Sequence, residues 1–426
     1  MRTEGKLTGT AVTILVALLS FGVMAAAAEA GTGDLDKAYG RSGFAKVPKE
    51  FETASIIDVQ TVGGGGLVYA GAEGNGSALM LGKLDHEGVV DEDFFGTTMP
   101  GPEFPWVTGP VKKYQRAFWD LARSDEGFIA SVFGRQGNVI AGFDNQGRGA
   151  IFENGYINTS GYESLAENQE GSIITVGYRG VIQVRKPDGI LDRRFSGDGE
   201  KNLSSRATGC RSYFRTSLAT VAVDREDRYV IAGSAETCRN RDFSSRSFVV
   251  RLLPDGRLDR SFGPARDGFS YGPPGYVSEM RLTPIGAPVL AVSKDDYEHD
   301  SKDRAMIMKL RLDGRKDRRF AGNGILRQKN VPGVAFSLGL GDERRIFAIA
   351  GIARNSDDRG YRTLVSCFRF NGELDRSFGE KGRTVIPGLN LDVTGGAAVD
   401  GNGQLYIAGF RGSFGTAQPY VVRLQG

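Results

Sequence analysis

Short apolar runs, separated by turns rich in Gly, Asp and Asn, follow one another along most of the chain. In the clearest case the apolar runs 397–399 and 405–409 flank a polar Asp-Gly-Asn-Gly turn at 400–403. Runs of about four to eight residues rich in Val, Ile, Phe and Tyr between such turns are typical of β-strands. No stretch has the roughly 3.6-residue spacing of a long amphipathic helix. The pattern predicts an all-β protein and argues against leucine-rich or helical solenoids.

Three phrases recur in a fixed order and divide the chain into units of about four strands. The first is the hairpin just described, which returns at 222–233, and the second is an apolar strand that ends in a polar turn with Gly, as at 249–256. The third is Leu-Asp-x-x-Phe-Gly, which is complete at 258–263 and 374–379 and varied at 35–40, 191–195 and 316–320. The glycine of the second phrase occurs seven times, at Gly88, Gly147, Gly189, Gly256, Gly314, Gly372 and Gly426. Seven four-stranded units that must stack to bury their faces predict a seven-bladed β-propeller.

These phrases resemble the repeats of the delta-60 family of bacterial propeller-like domains and, more distantly, NHL-type repeats. The resemblance is carried by Leu-Asp-x-x-Phe-Gly-x-x-Gly at 374–382 and by Arg-Leu-x-x-Asp-Gly at 251–256, and it covers nearly all of residues 34–426. It is weakest in the second and third blades. The family implies a propeller fold and implies no catalytic or ligand-binding residues. By analogy with NHL repeats, the hairpin gives strands A and B, the second phrase strand C, and the third leads into strand D.

The phase of the repeats predicts how the ring closes. The Phe-Gly phrase at 35–43 opens the array, so the run 44–47 reads as a D strand with no A, B or C strand before it. The run 420–426 reads as a C strand with no D strand after it. We therefore expect the last blade to take three strands from the end of the chain and one from its start, because pairing removes exposed strand edges. The alternative is an open solenoid whose ends stay apart.

The first thirty residues have the pattern of an export signal. Arg2 and Lys6 precede an apolar stretch from Ala11 to Ala28, and Ala28-Glu29-Ala30 supplies small residues two positions apart. This pattern predicts a signal peptide at 1–30, a single propeller domain at 31–426, and a secreted or cell-surface protein. The alternative is an uncleaved membrane anchor. No later segment is long and apolar enough to suggest a membrane span.

Composition narrows the choice of partners. The chain has 54 Lys and Arg residues against 51 Asp and Glu residues, a net charge of +3, and the two signs are interleaved. Duplex nucleic acid binding needs a clear basic stripe, so we expect no nucleic-acid partner. Only two His residues and no Cys-x-x-Cys motif are present. We therefore predict no metal site and no cofactor.

The three cysteines, after export, predict one disulfide. Cys210 precedes a predicted A strand and Cys238 follows the next B strand, so both fall on one face of the same blade. We expect a Cys210–Cys238 bond, which Cα atoms more than about 7 Å apart would rule out. The alternative is two unpaired thiols. Cys367 lies in a predicted C strand and should be buried and free.

The B–C and D–A connections share one face, since successive strands alternate in direction, and they vary in length. Variable loops on a rigid frame are where binding usually resides, and three clusters there are candidate ligand-binding residues. The first could stack on a sugar ring or pair with an acidic polymer: Trp106, Lys112, Lys113, Tyr114 and Arg116. The second, beside Cys238, is mixed in charge: Arg239, Arg241, Asp242 and Arg246. The third is a solvated polar loop, with a metal site as the alternative: Asp295, Asp296, Glu298, His299, Asp300 and Asp303.

No catalytic motif emerges, and the repeated Asp, Phe and Gly residues are interpreted as structural. The Asp-Gly-Asn-Gly run at 400–403 reads as a tight turn rather than a calcium loop. We therefore predict a monomeric binding module for an extracellular protein or polysaccharide. The rivals are a lyase or hydrolase with its site at the central channel, and a purely structural envelope role. Convergent carboxylates, Tyr and Arg at the channel would favour the enzyme; a plugged channel with aromatic residues on the rim would favour the binder.

Overall fold

A computed structural model describes most of the propeller region. The residues it describes are 32–47, 55–72, 78–94, 99–100, 117–124, 126–134, 137–148, 156–159, 162–203, 216–237, 244–294, 305–328, 331, 335–341, 345–353, 361–389, 396–411 and 418–426. They form seven four-stranded antiparallel sheets. The predicted seven-bladed β-propeller is confirmed, with the four strands of each blade in the order A to D from the axis outward.

The strands are named β1 to β28 in chain order. The A strands are β2 (Ser55–Val62), β6 (Ala117–Arg123), β10 (Tyr162–Glu167), β14 (Thr216–Val223), β18 (Tyr276–Leu282), β22 (Ala335–Gly341) and β26 (Ala397–Val399). The B strands are β3 (Gly66–Ala72), β7 (Gly127–Gly134), β11 (Ile173–Gly177), β15 (Tyr229–Thr237), β19 (Pro288–Ser293), β23 (Arg345–Ala353) and β27 (Leu405–Arg411). The C strands are β4 (Ala78–Leu84), β8 (Gly137–Asp144), β12 (Val181–Arg185), β16 (Ser244–Leu252), β20 (Ala305–Lys309), β24 (Tyr361–Arg369) and β28 (Gln418–Leu424). The D strands are β5 (Met99–Pro100), β9 (Tyr156–Thr159), β13 (Glu200–Asn202), β17 (Phe269–Pro274), β21 (Ile325–Arg327), β25 (Arg383–Ile386) and, from the start of the chain, β1 (Phe44–Lys46).

Strands from both ends of the chain build the seventh blade. Its sheet has the order β1-β28-β27-β26, and β1 pairs antiparallel with β28 in the register Phe44 to Val422 and Lys46 to Tyr420. Outside the strands, the backbone N–H of Gly33 donates to the carbonyl of Gln425 at 2.6 Å. The predicted closure is confirmed, and the open solenoid is excluded, because the first D strand completes the last blade.

Most of the apolar core lies between blades. One cluster joins β11 and β12 of the third blade to β14, β15 and β16 of the fourth, and another joins the seventh blade to the first. The phenylalanines of the third phrase, Phe262, Phe320 and Phe378, are at most 1% exposed. Phe378 packs on Phe347 with ring centroids 5.5 Å apart. The prediction that these rings fill the space between blades is confirmed.

The aspartate of the third phrase fixes the C–D connection. Asp259 accepts the backbone N–H of Ser261 at 2.8 Å and forms a buried ion pair with Arg251 at 2.7 Å. Burial would raise the pKa of Asp259, but the Ser261 hydroxyl and N–H and the Arg251 charge outweigh it and hold that pKa below its usual value. Arg251 also donates to the carbonyl of Leu312 in the next blade at 2.7 Å. The motif therefore ties each turn to its neighbour.

The repeated turn glycines lie where one C–D connection touches the C–D connection of the neighbouring blade, and this contact leaves no room for a side chain. Gly314 has a φ of +77°, and a Cβ there would lie 2.6 Å from the backbone N of Gly263 in the preceding blade. That N–H donates to the carbonyl of Asp313 at 2.8 Å. A side chain at Gly314 would therefore be strained by its own φ and would also push the two blades apart.

Two further predictions bear on the chain as a whole. Over the part of the chain that the structure describes, there is no helix with the length and apolar character needed to cross a membrane. Cys367 is buried and unpaired, as predicted, and burial raises the pKa of its thiol to about 12. Cys210 and Cys238 lie outside the described residues, as does the segment 1–31, so the disulfide and the signal peptide stay predictions.

Candidate functional site

The two faces of the propeller differ in how much their connections vary. The A–B turns run from three residues, as at Gly63–Gly65, to the five at 224–228. On the opposite face the D–A connections range from the single residue Gly275 to the stretch 101–116, and the B–C connections from 135–136 to 294–304. The variable face is the one that the sequence nominates for binding.

Most of the residues that the sequence nominates on that face lie outside the described part of the chain. This holds for Trp106, Lys112, Lys113, Tyr114, Arg116, Arg239, Arg241, Asp242, Asp295, Asp296, Glu298, His299, Asp300 and Asp303. Arg246 is described, and its guanidinium lies 5.0 Å from the centre of the Tyr271 ring. None of the three clusters can therefore be described as a whole. Arg246 lies near the start of β16, at the end of the strand that meets the B–C connection, where it pairs with Ala235 and Pro274.

A ring of polar residues surrounds the central channel, and the sequence did not nominate it. Each of the six A strands from β2 to β22 has a β-bulge at the same level, a feature that commonly re-aims side chains near functional sites. The residue after each bulge is polar: Asp58, Asp120, Ser164, Thr220, Glu279 and Ser337. The seventh blade has Gly396 at this level, where a Cβ would lie 2.5 Å from Oδ1 of Asp58.

These polar side chains connect one blade to the next. The Asp58 carboxylate accepts the backbone N–H of Leu121 at 3.1 Å, and Asp120 accepts that of Leu165 at 2.9 Å. In the same way Ser164 accepts from Val221 at 3.2 Å, and Glu279 accepts from Leu338 at 2.7 Å. Each acceptor thus satisfies a backbone N–H of the A strand in the next blade, which is a structural role.

Three of these carboxyl groups and one arginine share the channel. Asp58 and Asp120 are close enough in the buried ring for the charge of each to influence the ionisation of the other. Burial, and then the Asp120 charge, raise the pKa of Asp58 to about 8, and burial likewise raises the pKa of Asp120. Burial alone would lower the pKa of Arg281, but Glu279, Asp58 and Asp120 outweigh it and raise that pKa. Arg281 therefore stays charged.

Arg281 crosses the channel from the fifth blade to the seventh. Its Nε donates to Oε1 of Glu279 at 2.5 Å, and an Nη donates to the carbonyl of Ala397 at 3.1 Å. Its side chain is 32% exposed. In the other blades, the position two residues after the ring residue is mostly small: Ala122, Ala166, Ala222, Gly339 and Ala398, with the longer Gln60 in the first blade.

A protonated carboxyl beside an ionised one can donate and accept protons at neutral pH, so this cluster has the residues of an acid–base pair. Its acceptor atoms are, however, already used by the next blade. Across the described ranges, no three His, Cys, Asp or Glu side chains converge in a way that could hold a metal ion.

A separate concavity lies between the fourth and fifth blades. It is a cleft of about 1300 Å³ between Arg246 and Tyr271 of the fourth blade and the connection 311–323 of the fifth. Of the residues that the structure describes, six cations and one acid line it: Arg246, Arg311, Arg315, Lys316, Arg318, Arg319 and Asp317. We call this cleft the basic groove.

The interleaved charges of the whole sequence do not predict the basic groove. Five of its cations fall within the nine residues 311–319, so a count of charge in short windows would have found that part. The sixth, Arg246, is remote in sequence and is added by blade packing. For the channel, the signal was a polar residue within each A strand, as in Ile56-Ile57-Asp58-Val59.

Comparisons with known proteins add no function. No family model matches the sequence, and the sequence matches no curated protein. Among solved structures, the chain is similar to the Dos1 propeller, with 9% identity, 89% of this chain and 95% of that chain covered, and a TM-score of 0.45. It is also similar to a Dyadobacter fermentans protein of unknown function, with 10% identity, 92% and 98% coverage, and a TM-score of 0.41. A gluconolactonase of Xanthomonas campestris has 14% identity, 72% and 85% coverage, and a TM-score of 0.37. The propeller assignment rests on the seven sheets themselves.

Proposed function

We propose that this protein is an exported binding propeller whose B–C and D–A loops hold an extracellular protein or polysaccharide. The observation that supports it is the contrast between the two faces, since one carries short A–B turns and the other connections of widely different length. A rigid frame with variable loops is the usual architecture of a binding site. Membership of the delta-60 repeat family is part of the same proposal.

The test uses neutral cello- and chito-oligosaccharides as probes for the aromatic and basic cluster of the D–A connection 101–116. Trp106→Ala and Tyr114→Ala should weaken binding of the recognised oligosaccharide about tenfold, because each removes a ring that can stack on a sugar. Asn402→Ala, in an exposed A–B turn of the other face, is the matched control and should leave the Kd unchanged. Loss of binding in the control alone would refute the assignment of the face.

Export has its own readout. The proposal expects protein recovered outside the cytoplasm to begin near Gly31, after cleavage following Ala30. N-terminal sequencing or intact mass measures this directly. A full-length chain retained in the membrane would instead identify residues 1–30 as an anchor.

A hydrolase or lyase acting at the central channel is the second candidate function. It is favoured by the convergence of Asp58, Asp120, Glu279 and Arg281 and by the protonated carboxyl that the raised pKa of Asp58 provides. Release of reducing ends or of unsaturated products from polysaccharides would detect it. Asp58→Asn should abolish such an activity in a folded protein, while an activity that survives this change would place the chemistry elsewhere.

A further inference from the structure

The basic groove concentrates positive charge on a molecule that is nearly neutral. The chain has a net charge of only +3, yet six cationic side chains line this one cleft against a single acid. Asp317 is already paired with Lys309, and Asp313 lies 3.6 Å from both Arg311 and Arg315. Within the described residues, neither Arg318 nor Arg319 forms an ion pair, and both are exposed. The groove therefore has an excess of positive charge that faces solvent.

Lys316 is a charged residue at a position of the third phrase that is apolar in other blades. It stands where the third phrase has an apolar residue in the other blades that the structure describes, namely Leu35, Val90, Leu191, Leu258 and Leu374. Burial, and then the Arg246 charge, lower the pKa of the Lys316 ammonium group. A cation that occupies an apolar position beside another cation costs stability, and such departures from a local rule are expected at functional sites.

The lining also restricts the kind of partner. Among the described lining residues Tyr271 is the one aromatic side chain, and its ring is covered by Arg246 on one side and stacked on Phe269, with a centroid distance of 6.0 Å. Protein interfaces depend on buried apolar anchors, and single-stranded nucleic acids on free aromatic platforms. The groove offers neither, but it offers guanidinium groups that bind carboxylates or sulfates in a bidentate manner.

We propose that the basic groove binds an acidic polysaccharide, a chain of sugars that carry carboxylate or sulfate groups. Five of its six cations belong to the C–D connection of the fifth blade and only Arg246 belongs to a strand that reaches the loop face, so the groove is a second binding surface that goes beyond the function proposed above. Arg311, Arg315, Arg318 and Arg319 pair with the anionic groups of the polymer, and Lys316 and Arg246 hold the part that enters the cleft.

The experiment measures the Kd of the purified protein for a polygalacturonate oligomer, with neutral dextran as the control ligand. Binding should weaken steeply between about 50 and about 200 mM salt, as for other polyanions. The double variant Arg315→Glu with Arg318→Glu should raise the Kd at least about tenfold at the lower salt concentration. The matched control is Arg257→Glu with Arg376→Glu, because Arg257 has the turn position of Arg315 and Arg376 the phrase position of Arg318 in other blades. The control should change the Kd less than about twofold.

Lys316→Leu separates recognition from folding. It restores the apolar residue of the repeat, so the variant should melt at the same temperature as the wild type or higher, while its Kd for polygalacturonate rises about threefold. If the two double variants lose the same affinity for polygalacturonate, binding depends only on the overall surface charge, and the proposal is overturned. Tighter binding of polyglutamate or of a single-stranded oligonucleotide of equal charge would overturn the assignment to polysaccharide. Trp106→Ala should leave this Kd unchanged, so failure here and failure of the loop-face proposal are distinguishable.

Discussion

At the scale of single residues, the Asp58 carboxyl group in the channel both holds two backbone N–H groups and makes the stability of the fold depend on pH. Asp58 accepts the N–H groups of Val59 at 2.7 Å and of Leu121 at 3.1 Å, and the nearby Asp120 charge opposes its ionisation. Because burial and Asp120 raise its folded-state pKa to about 8, above the unfolded value of 3.8, the folded protein holds a proton that the unfolded chain releases. This contribution to stability is complete below about pH 4 and is lost as the pH rises through about 8.

Asp58→Asn should therefore remove a pH dependence from the stability of the fold. The amide is neutral at every pH and can donate to Asp120, so the variant should gain melting temperature relative to the wild type as the pH rises from about 5 to about 9. Thermal denaturation across this range measures the difference. Ser337→Ala is the control, since it has the same position in the ring but no ionisable group. A difference in melting temperature between Asp58→Asn and the wild type that is the same at every pH would contradict the raised pKa of Asp58.

At the scale of elements, the C–D connection is the unit that joins blades. Its aspartate caps the turn, its aromatic ring fills the core between blades, and its backbone bonds to the connection of the next blade, as Gly263 does to Asp313 at 2.8 Å. The same contact reaches the start of the chain, where the N–H of Gly379 donates to the carbonyl of Thr32 at 2.6 Å. The motif recurs because every blade must make this junction.

Phe378→Ala should consequently destabilise the protein far more than a surface change in the same blade. Phe378 is fully buried against Phe347, and emptying such a site costs about 3–5 kcal/mol of unfolding free energy. Val385→Ala, at a residue 43% exposed on β25, should cost less than about 1 kcal/mol. Equilibrium denaturation with guanidinium chloride measures both, and similar midpoints for the two variants would contradict the role of the ring in the core.

At the scale of the whole molecule, closure couples the two ends of the chain. Arg423 and Asp36 form a buried ion pair at 2.6 Å, and the Arg423 guanidinium also lies 4.5 Å from the centre of the Tyr39 ring. Contacts between such distant parts of a sequence form late and slow the folding of β proteins. The ring is therefore only complete once the first described residues have reached the last blade.

Deleting residues 34–48 should destabilise the entire ring rather than one terminus. The deletion removes β1 and leaves β28 as an unpaired edge beside the first blade. We expect a marked fall in melting temperature, and partial recovery when a peptide of residues 32–48 is added in excess. Removal of residues 1–30 alone is the control and should have no effect. A deletion variant that melts like this control would show that closure contributes little.

The sequence by itself determined the blade count, the strand order and the closure, because each follows from the period and phase of residues that are local in the chain. The turn glycines and the phrase from Leu374 to Gly379 predict the same architecture that the sheets show. Tertiary structure alone decided which side chains meet. Asp58, Asp120, Glu279 and Arg281 lie in separate blades, and only the bulges and the ring of A strands bring them to one channel. Arg246 likewise joins the cations at 311–319 because neighbouring blades pack together, and no local pattern encodes that contact.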